Sequence, residues 1–115
     1  MTERVDRLLV VDDNDANRDA YARHFLNLGY SVDTAADGLE AWRRLNEGTE
    51  SYALLLMGVN LPGMTGEQLL AAMKADARLE SIPVLIVSSV ANVEIVSRMI
   101  EMGADDYVQE PTTPE

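Results

Sequence analysis

The sequence predicts an α/β fold built on a doubly wound parallel sheet of five strands. Three observations carry that reading. Short apolar runs alternate with stretches of helical period along the whole chain, which is the pattern of successive strand–helix–strand units. Three of the runs are apolar almost throughout, as strands covered by helices on both faces must be. Glycines close the helical stretches where a stop is needed, at Gly29 and Gly103. At 115 residues the chain has the length of one domain, so residues 1–115 are expected to form a single unit.

The first strand is Leu8 to Val11. Helix one follows, with Ala20, Tyr21, His24, Phe25 and Leu28 at helical spacing, and it ends at Gly29. Tyr30 to Thr34 is the second strand. Leu39, Trp42 and Leu45 mark helix two, ended near Gly48. The third strand spans Tyr52 to Met57, and helix three carries Leu69, Leu70, Ala72 and Met73 after Gly66. Strand four is Pro83 to Val87; Ile95, Val96, Met99 and Ile100 then mark helix four, and Asp106 to Val108 is the last strand. The closing Thr113-Pro114-Glu115 reads either as a polar tail or as an N-cap, a first-turn proline and a first-turn acid. On the second reading a fifth helix begins where the chain stops, and the chain is a fragment of a longer protein.

Apolar residues make up 47% and charged residues 25%, the balance of a folded chain. With 9 Lys and Arg against 20 Asp and Glu the net charge is −11, which disfavours nucleic acid and anionic membrane surfaces as partners. The longest uncharged apolar runs, such as Ala53 to Met57 and Pro83 to Val87, fall far below the roughly 20 residues that span a bilayer. No secretion pattern opens the chain, so a cytoplasmic location is expected. The absence of cysteine excludes disulfides, thiolate metal sites and cysteine catalysis. His24 reads as a packing or surface histidine and Trp42 as a core residue of helix two.

Ligands of open parallel sheets sit beyond the carboxyl ends of the strands. There the chain places Asp12-Asp13, then Met57-Gly58 ahead of Asn60-Leu61-Pro62-Gly63, then Ser88-Ser89, then Gln109-Glu110-Pro111. Two adjacent carboxylates leaving a buried strand make a hard oxygen site of the kind Mg²⁺ accepts. The alternative is that one of them caps helix one.

The order of these loops resembles the receiver domain of two-component response regulators, from near residue 7 to residue 111. The resemblance rests on Leu8-Leu9-Val10-Val11-Asp12-Asp13-Asn14, Gly29-Tyr30, Ala36-Asp37-Gly38, Leu61-Pro62-Gly63-Met64-Thr65-Gly66, Ile82-Pro83-Val84, Ser88 and Gly103-Ala104-Asp105-Asp106-Tyr107. It implies a flavodoxin-like (CheY-like) fold with strand order 2-1-3-4-5 and, in this chain, a truncated or absent fifth helix. It further implies that Asp12 and Asp13 are the acid pair holding Mg²⁺, with the backbone carbonyl of Asn60 completing the site. Ser88 would be the hydroxyl switch residue and Tyr107 the aromatic one. The bond before Pro111 is a candidate cis peptide.

Two positions depart from the family. Gly58 stands where the phosphorylated aspartate belongs, and Glu110 where a phosphate-binding lysine does. Nucleophile and counter-charge are both missing. Like charges about 4 Å apart repel by roughly 4 kcal/mol at an effective dielectric of about 20, so an anion is the wrong ligand here. Asp12, Asp13 and Glu110 instead favour a cation or a shared proton, and without metal one of them is expected to have a raised pKa.

Three functions are weighed. The first is an atypical receiver acting as a phosphorylation-independent interaction module, not an enzyme. It requires no cofactor, retains at most weak Mg²⁺ binding, and has a protein partner, an attached output domain or a second copy of itself as its mate. The second is an ordinary phospho-accepting receiver whose aspartate at position 58 was replaced by glycine. The third is a nucleotide binder or small enzyme, for which Asp12-Asp13-Asn14-Asp15 is a poor phosphate cradle.

Overall fold

The computed structural model describes residues 6–47, 52–88 and 93–109. In chain order the elements are β1 (Arg7–Val11), α1 (Asp15–Asn27), β2 (Ser31–Ala35), α2 (Gly38–Asn46), β3 (Leu54–Gly58), α3 (Gly66–Lys74), β4 (Val84–Ser88), α4 (Val93–Met102) and β5 (Asp106–Gln109). The five strands are all parallel and lie in the order β2-β1-β3-β4-β5. This is the doubly wound sheet the alternation of runs and stripes predicts. Gly48, Ser89, the Glu110-Pro111 step and the Thr113-Pro114-Glu115 signal lie outside the described residues.

The helices divide between two faces. Ala41 and Leu45 of α2, Leu69, Leu70 and Met73 of α3, and Val96 and Met99 of α4 pack with Leu9, Leu55, Met57, Val84 and Ile86 of the strands into the larger core. On the other face, Tyr21 and Phe25 of α1 lie against Val10, Leu56 and Val87. Alternate strand residues point to opposite faces, so each central strand feeds both cores.

Three of the predicted helical stripes are shifted. In helix one Ala20, His24 and Leu28 are exposed and Ala22 is the buried residue, and Leu39 in helix two and Ile100 in helix four are exposed. Leu28 falls one residue past the end of α1, and Leu39 sits in the first turn of α2, where helical spacing alone does not decide burial. Gly29 and Gly103 take positive φ of 101° and 121°, the left-handed conformation that ends α1 and α4.

The helix starts are fixed locally. Asn14 Oδ1 accepts from the Asn17 amide at 2.9 Å to cap α1, and Asp37 Oδ1 accepts from the Glu40 amide at 2.7 Å to cap α2. Thr65 and Gln68 form a reciprocal capping box at α3, which aims the chain leaving β3.

Candidate functional site

β1 and β3 are neighbours in the sheet, with Val11 paired to Met57. Asp12 and Gly58, the next residues on each, therefore open onto the same mouth. Asp12 is only 6% exposed, whereas Asp13 points into solvent. Asp12 is held by its backbone amide, which donates to the Ala35 carbonyl at 3.1 Å, and by its Oδ1, which accepts from the Asn14 amide at 2.8 Å. Because Asn14 is the cap of α1, neither carboxylate of the pair is used for that purpose.

Burial pushes the Asp12 carboxyl above its ordinary value. The Asn14 amide opposes that shift, the adjacent Asp13 charge adds to it, and Arg18 opposes it more weakly. The raised pKa expected from like-charge coupling is thus present at Asp12, with desolvation ahead of coupling as its cause.

Arg18 is a residue the sequence reading passed over. Its Nη1 donates to the Asp12 backbone carbonyl at 2.8 Å, and its Nη2 to Asp15 Oδ1 at 2.5 Å. It fastens the start of α1 to the end of β1 without pairing with the Asp12 carboxylate. Its position on the first turn of α1, three residues after Asp15, was the available signal.

Gly58 ends β3 opposite Val87 of β4. A Cβ built there would meet only Leu61 Cδ2 at 3.6 Å and the Val11 carbonyl oxygen at 3.8 Å, both ordinary contacts, and the backbone there is not in the left-handed region. Nothing in the local geometry demands glycine. Gly66 is different: a Cβ there would lie 2.6 Å from the Gly58 carbonyl oxygen, and its amide donates to the Val59 carbonyl at 3.0 Å. The loop between β3 and α3 is therefore pinned by a close backbone approach while the acceptor position stays sterically open. Leu61, buried at the edge of that opening, is its nearest side chain.

Asn60 is exposed in the same loop. Among the described residues no group of three or more His, Asp or Glu side chains is placed to hold a metal. Asp12 and Asp13 are the two adjacent carboxylates that follow β1, and Asn60 follows β3.

Ser88 is buried at the end of β4, paired in register with Gln109. Tyr107 pairs with Ile86, so it lies on the face of the sheet that α4 covers, yet it is 49% exposed because β5 is the edge strand. The Gly103-Ala104-Asp105 segment has a structural part as well. Ala104 is buried, and Asp105 Oδ2 accepts from the Val84 amide at 2.7 Å, which fixes where β5 starts relative to β4.

A family profile described as the response regulator receiver domain matches residues 8–115. The chemotaxis protein CheY of Pseudomonas aeruginosa is 34% identical over 110 residues, covering 95% of this chain and 87% of its own length. Chemotaxis protein CheY1 of Helicobacter pylori is 30% identical over 110 residues, covering 95% of this chain and 88% of its own. Among solved structures, the chemotaxis response regulator CheY4 of Vibrio cholerae matches with a TM-score of 0.85 at 26% identity, over 95% of this chain and 89% of that one.

Proposed function

This chain belongs to the response regulator receiver domain family, and from that premise we propose that it works without phosphorylation, as an interaction module of two-component signalling. Receiver domains as a family are signalling domains that act through other proteins. The observation that carries the finer reading is Gly58: the acceptor position ends its strand with no side chain, in a backbone that would tolerate one. A protein partner or an attached output domain then selects the state of Ser88 and Tyr107 by binding one arrangement more tightly than the other. A cytoplasmic location belongs to the same proposal. With a net charge of −11, nucleic acid and anionic membrane do not.

Incubation with a small phosphodonor and Mg²⁺, followed by intact-mass measurement, tests the reading directly. The mass is expected to stay unchanged while a receiver carrying the aspartate gains a phosphoryl group. A stable adduct at the mouth of the sheet would overturn it.

Asp12, Asp13 and the Asn60 carbonyl would hold Mg²⁺, which when bound offsets the charge of the acid pair. With glycine rather than a carboxylate at position 58 they are expected to hold it weakly, so Mn²⁺ should broaden the Asp12 and Asp13 amide resonances only at high concentration, and sharp saturation at low concentration would count against this donor set. Self-association is assigned to the α1 face, where Val108 of β5 is exposed and Leu85 is half-buried. Sedimentation equilibrium should show a concentration-dependent dimer, and a Val108→Lys variant should shift it to monomer.

The open space at Gly58 also favours a second reading, an ordinary acceptor whose aspartate was replaced. Glu110 at the lysine position weighs against it, since silencing an acceptor needs one change and this chain carries two.

A further inference from the structure

Asp12 is the one buried acid among the described residues, and no described cation pairs with its carboxylate. Arg18 touches only its backbone, through Nη1 to the Asp12 carbonyl, while Nη2 goes to Asp15. The other described arginines are each paired with a different acid: Arg7 with Asp33, Arg23 with Asp19, Arg43 and Arg44 with Glu40, Arg78 with Asp76, and Arg98 with Glu67. The single lysine of the chain, Lys74, donates to the Glu80 carbonyl at 2.9 Å. Of the Asp12 carboxylate itself, Oδ1 accepts from the Asn14 amide at 2.8 Å and Oδ2 accepts from no described residue. A buried oxygen is thus left without a donor at the mouth of the sheet.

The space beside it has a particular chemistry. Val10 and Leu56 belong to the core under α1, so Asp12 and Gly58, two residues further along each strand, carry on the same side of the sheet. A β-carbon at position 58 would stand 3.6 Å from Leu61 Cδ2 and 3.8 Å from the Val11 carbonyl oxygen, so an apolar side chain and backbone oxygen face one opening with the carboxylate. That mixture suits a side chain with a methylene stem and a cationic tip, the stem against Leu61 and the tip among the oxygens. A Mg²⁺ ion asks for six oxygens in an octahedron, and Leu61 supplies none. The planar fork of an arginine makes two parallel bonds to both oxygens of a carboxylate, and Oδ1 is already held by Asn14. A lysine ammonium is compact and needs only single oxygens.

We propose that the mouth of the sheet is a receptor for a lysine side chain of a protein partner, its ammonium on Asp12 Oδ2 with Asp13 at the rim, and its stem along Leu61 in the space left by Gly58. The proposal deepens, and rests on, the reading of the chain as an interaction module, for which it names the chemistry of the partner. Asp12 is already out of water in the free chain, so entry desolvates only the ammonium, which removes much of the cost that makes buried ion pairs weak. The net charge of −11 draws a basic segment toward the chain. A second copy of the chain is a poor occupant, because its single lysine is engaged on Glu80 and it brings the same acids.

The test uses the full chain, ¹⁵N-labelled, in metal-free buffer, titrated with three synthetic peptides that are alike except for a central lysine, arginine or norleucine. The lysine peptide is expected to shift the Asp12, Gly58 and Leu61 amides and to bind better than the arginine peptide. The norleucine peptide, which keeps most of the stem and loses the charge, should leave those amides in place. Asp12→Asn retains an oxygen for the Asn14 amide and should weaken the lysine peptide about tenfold, the loss of a charge-assisted bond in a buried site. Asp13→Asn, at the exposed rim, should weaken it by about twofold. Gly58→Val fills the opening and should weaken it as well. No shift at these amides, a preference for arginine or norleucine, or an affinity indifferent to Asp12→Asn would overturn the receptor. The phosphodonor experiment reads the other question: an adduct with lysine entry intact removes only the phosphorylation-independent reading, and no adduct with no lysine entry removes only this one.

Discussion

Asp12 and Asp33 are both carboxylates placed on the sheet, and the structure treats them in opposite ways. Asp33, mid-strand in β2 and facing α2, accepts from Arg7 Nη1 at 3.0 Å through both oxygens and from the Tyr52 hydroxyl at 2.6 Å. Burial alone would raise its pKa, but the hydrogen bonds from Tyr52 and Arg7, with the charges of Arg7 and Arg44, outweigh it and hold the carboxyl below its ordinary range. Burial, with the hydrogen bond to Asp33 and its charge added, pushes the Tyr52 phenol well up. Asp12 is more deeply buried, has a single amide on its carboxylate and shares the mouth with Asp13. A carboxylate surrounded by its partners is part of the scaffold. One that is buried and poorly compensated costs stability, and its presence needs another reason, here its place at the mouth of the sheet.

The largest expected effect lies on the scaffold side. Asp33→Ala leaves the Tyr52 hydroxyl and the Arg7 guanidinium without their shared acceptor, and it should lower the stability measured by urea unfolding by roughly 2 to 3 kcal/mol. A loss no larger than that of an exposed pair would place Asp33 on the same footing as the surface bridges, such as Arg43 with Glu47, and dissolve the contrast.

Asp12→Asn is expected to act in the other direction, with a gain of about 1 kcal/mol near neutral pH, because the amide oxygen can still accept from Asn14 while the buried charge disappears. The pH dependence separates the two residues by sign. Asp12 has a folded pKa above its ordinary 3.8, so its ionisation costs stability, and the cost appears as pH rises through the folded value. For Asp33 the folded pKa is depressed, so its contribution is present above 3.8 and lost as pH falls through the folded value. Urea midpoints followed from about pH 3 to about pH 7 should show the advantage of Asp12→Asn growing and the deficit of Asp33→Ala growing as well, each relative to the parent. Parallel curves for Asp12→Asn and the parent would mean that the buried carboxyl is compensated after all.

Much of this architecture was legible in the residues. The five strands fall within two residues of their predicted bounds, and the order β2-β1-β3-β4-β5 is the one that the resemblance to receiver domains implies. The Asp33 knot was not legible, because its partners stand 26 and 19 residues away and no local pattern joins Arg7, Asp33 and Tyr52. Of the mouth, the identities of Asp12, Asp13 and Gly58 could be read directly, but which carboxylate is buried could not. Nor could the sequence separate the two jobs of Asp12-Asp13-Asn14: it left open a capping aspartate, and the third residue of the run does the capping. Glu110 keeps its sequence reading alone.

The smallest effect sharpens the comparison within the mouth itself. Gly58 and Gly66 are both glycines beside the β3–α3 loop, yet only Gly66 is required by its surroundings. Gly58→Ala places a methyl at ordinary contact distance from Leu61 and should change stability by less than about 0.5 kcal/mol. Gly66→Ala drives its methyl into the Gly58 carbonyl and should cost several times as much, as overpacking against backbone does. Equal losses would mean that Gly58 is held by its fold. A neutral Gly58→Ala leaves the missing side chain without a structural cause, and the glycine then answers to what the mouth no longer has to do.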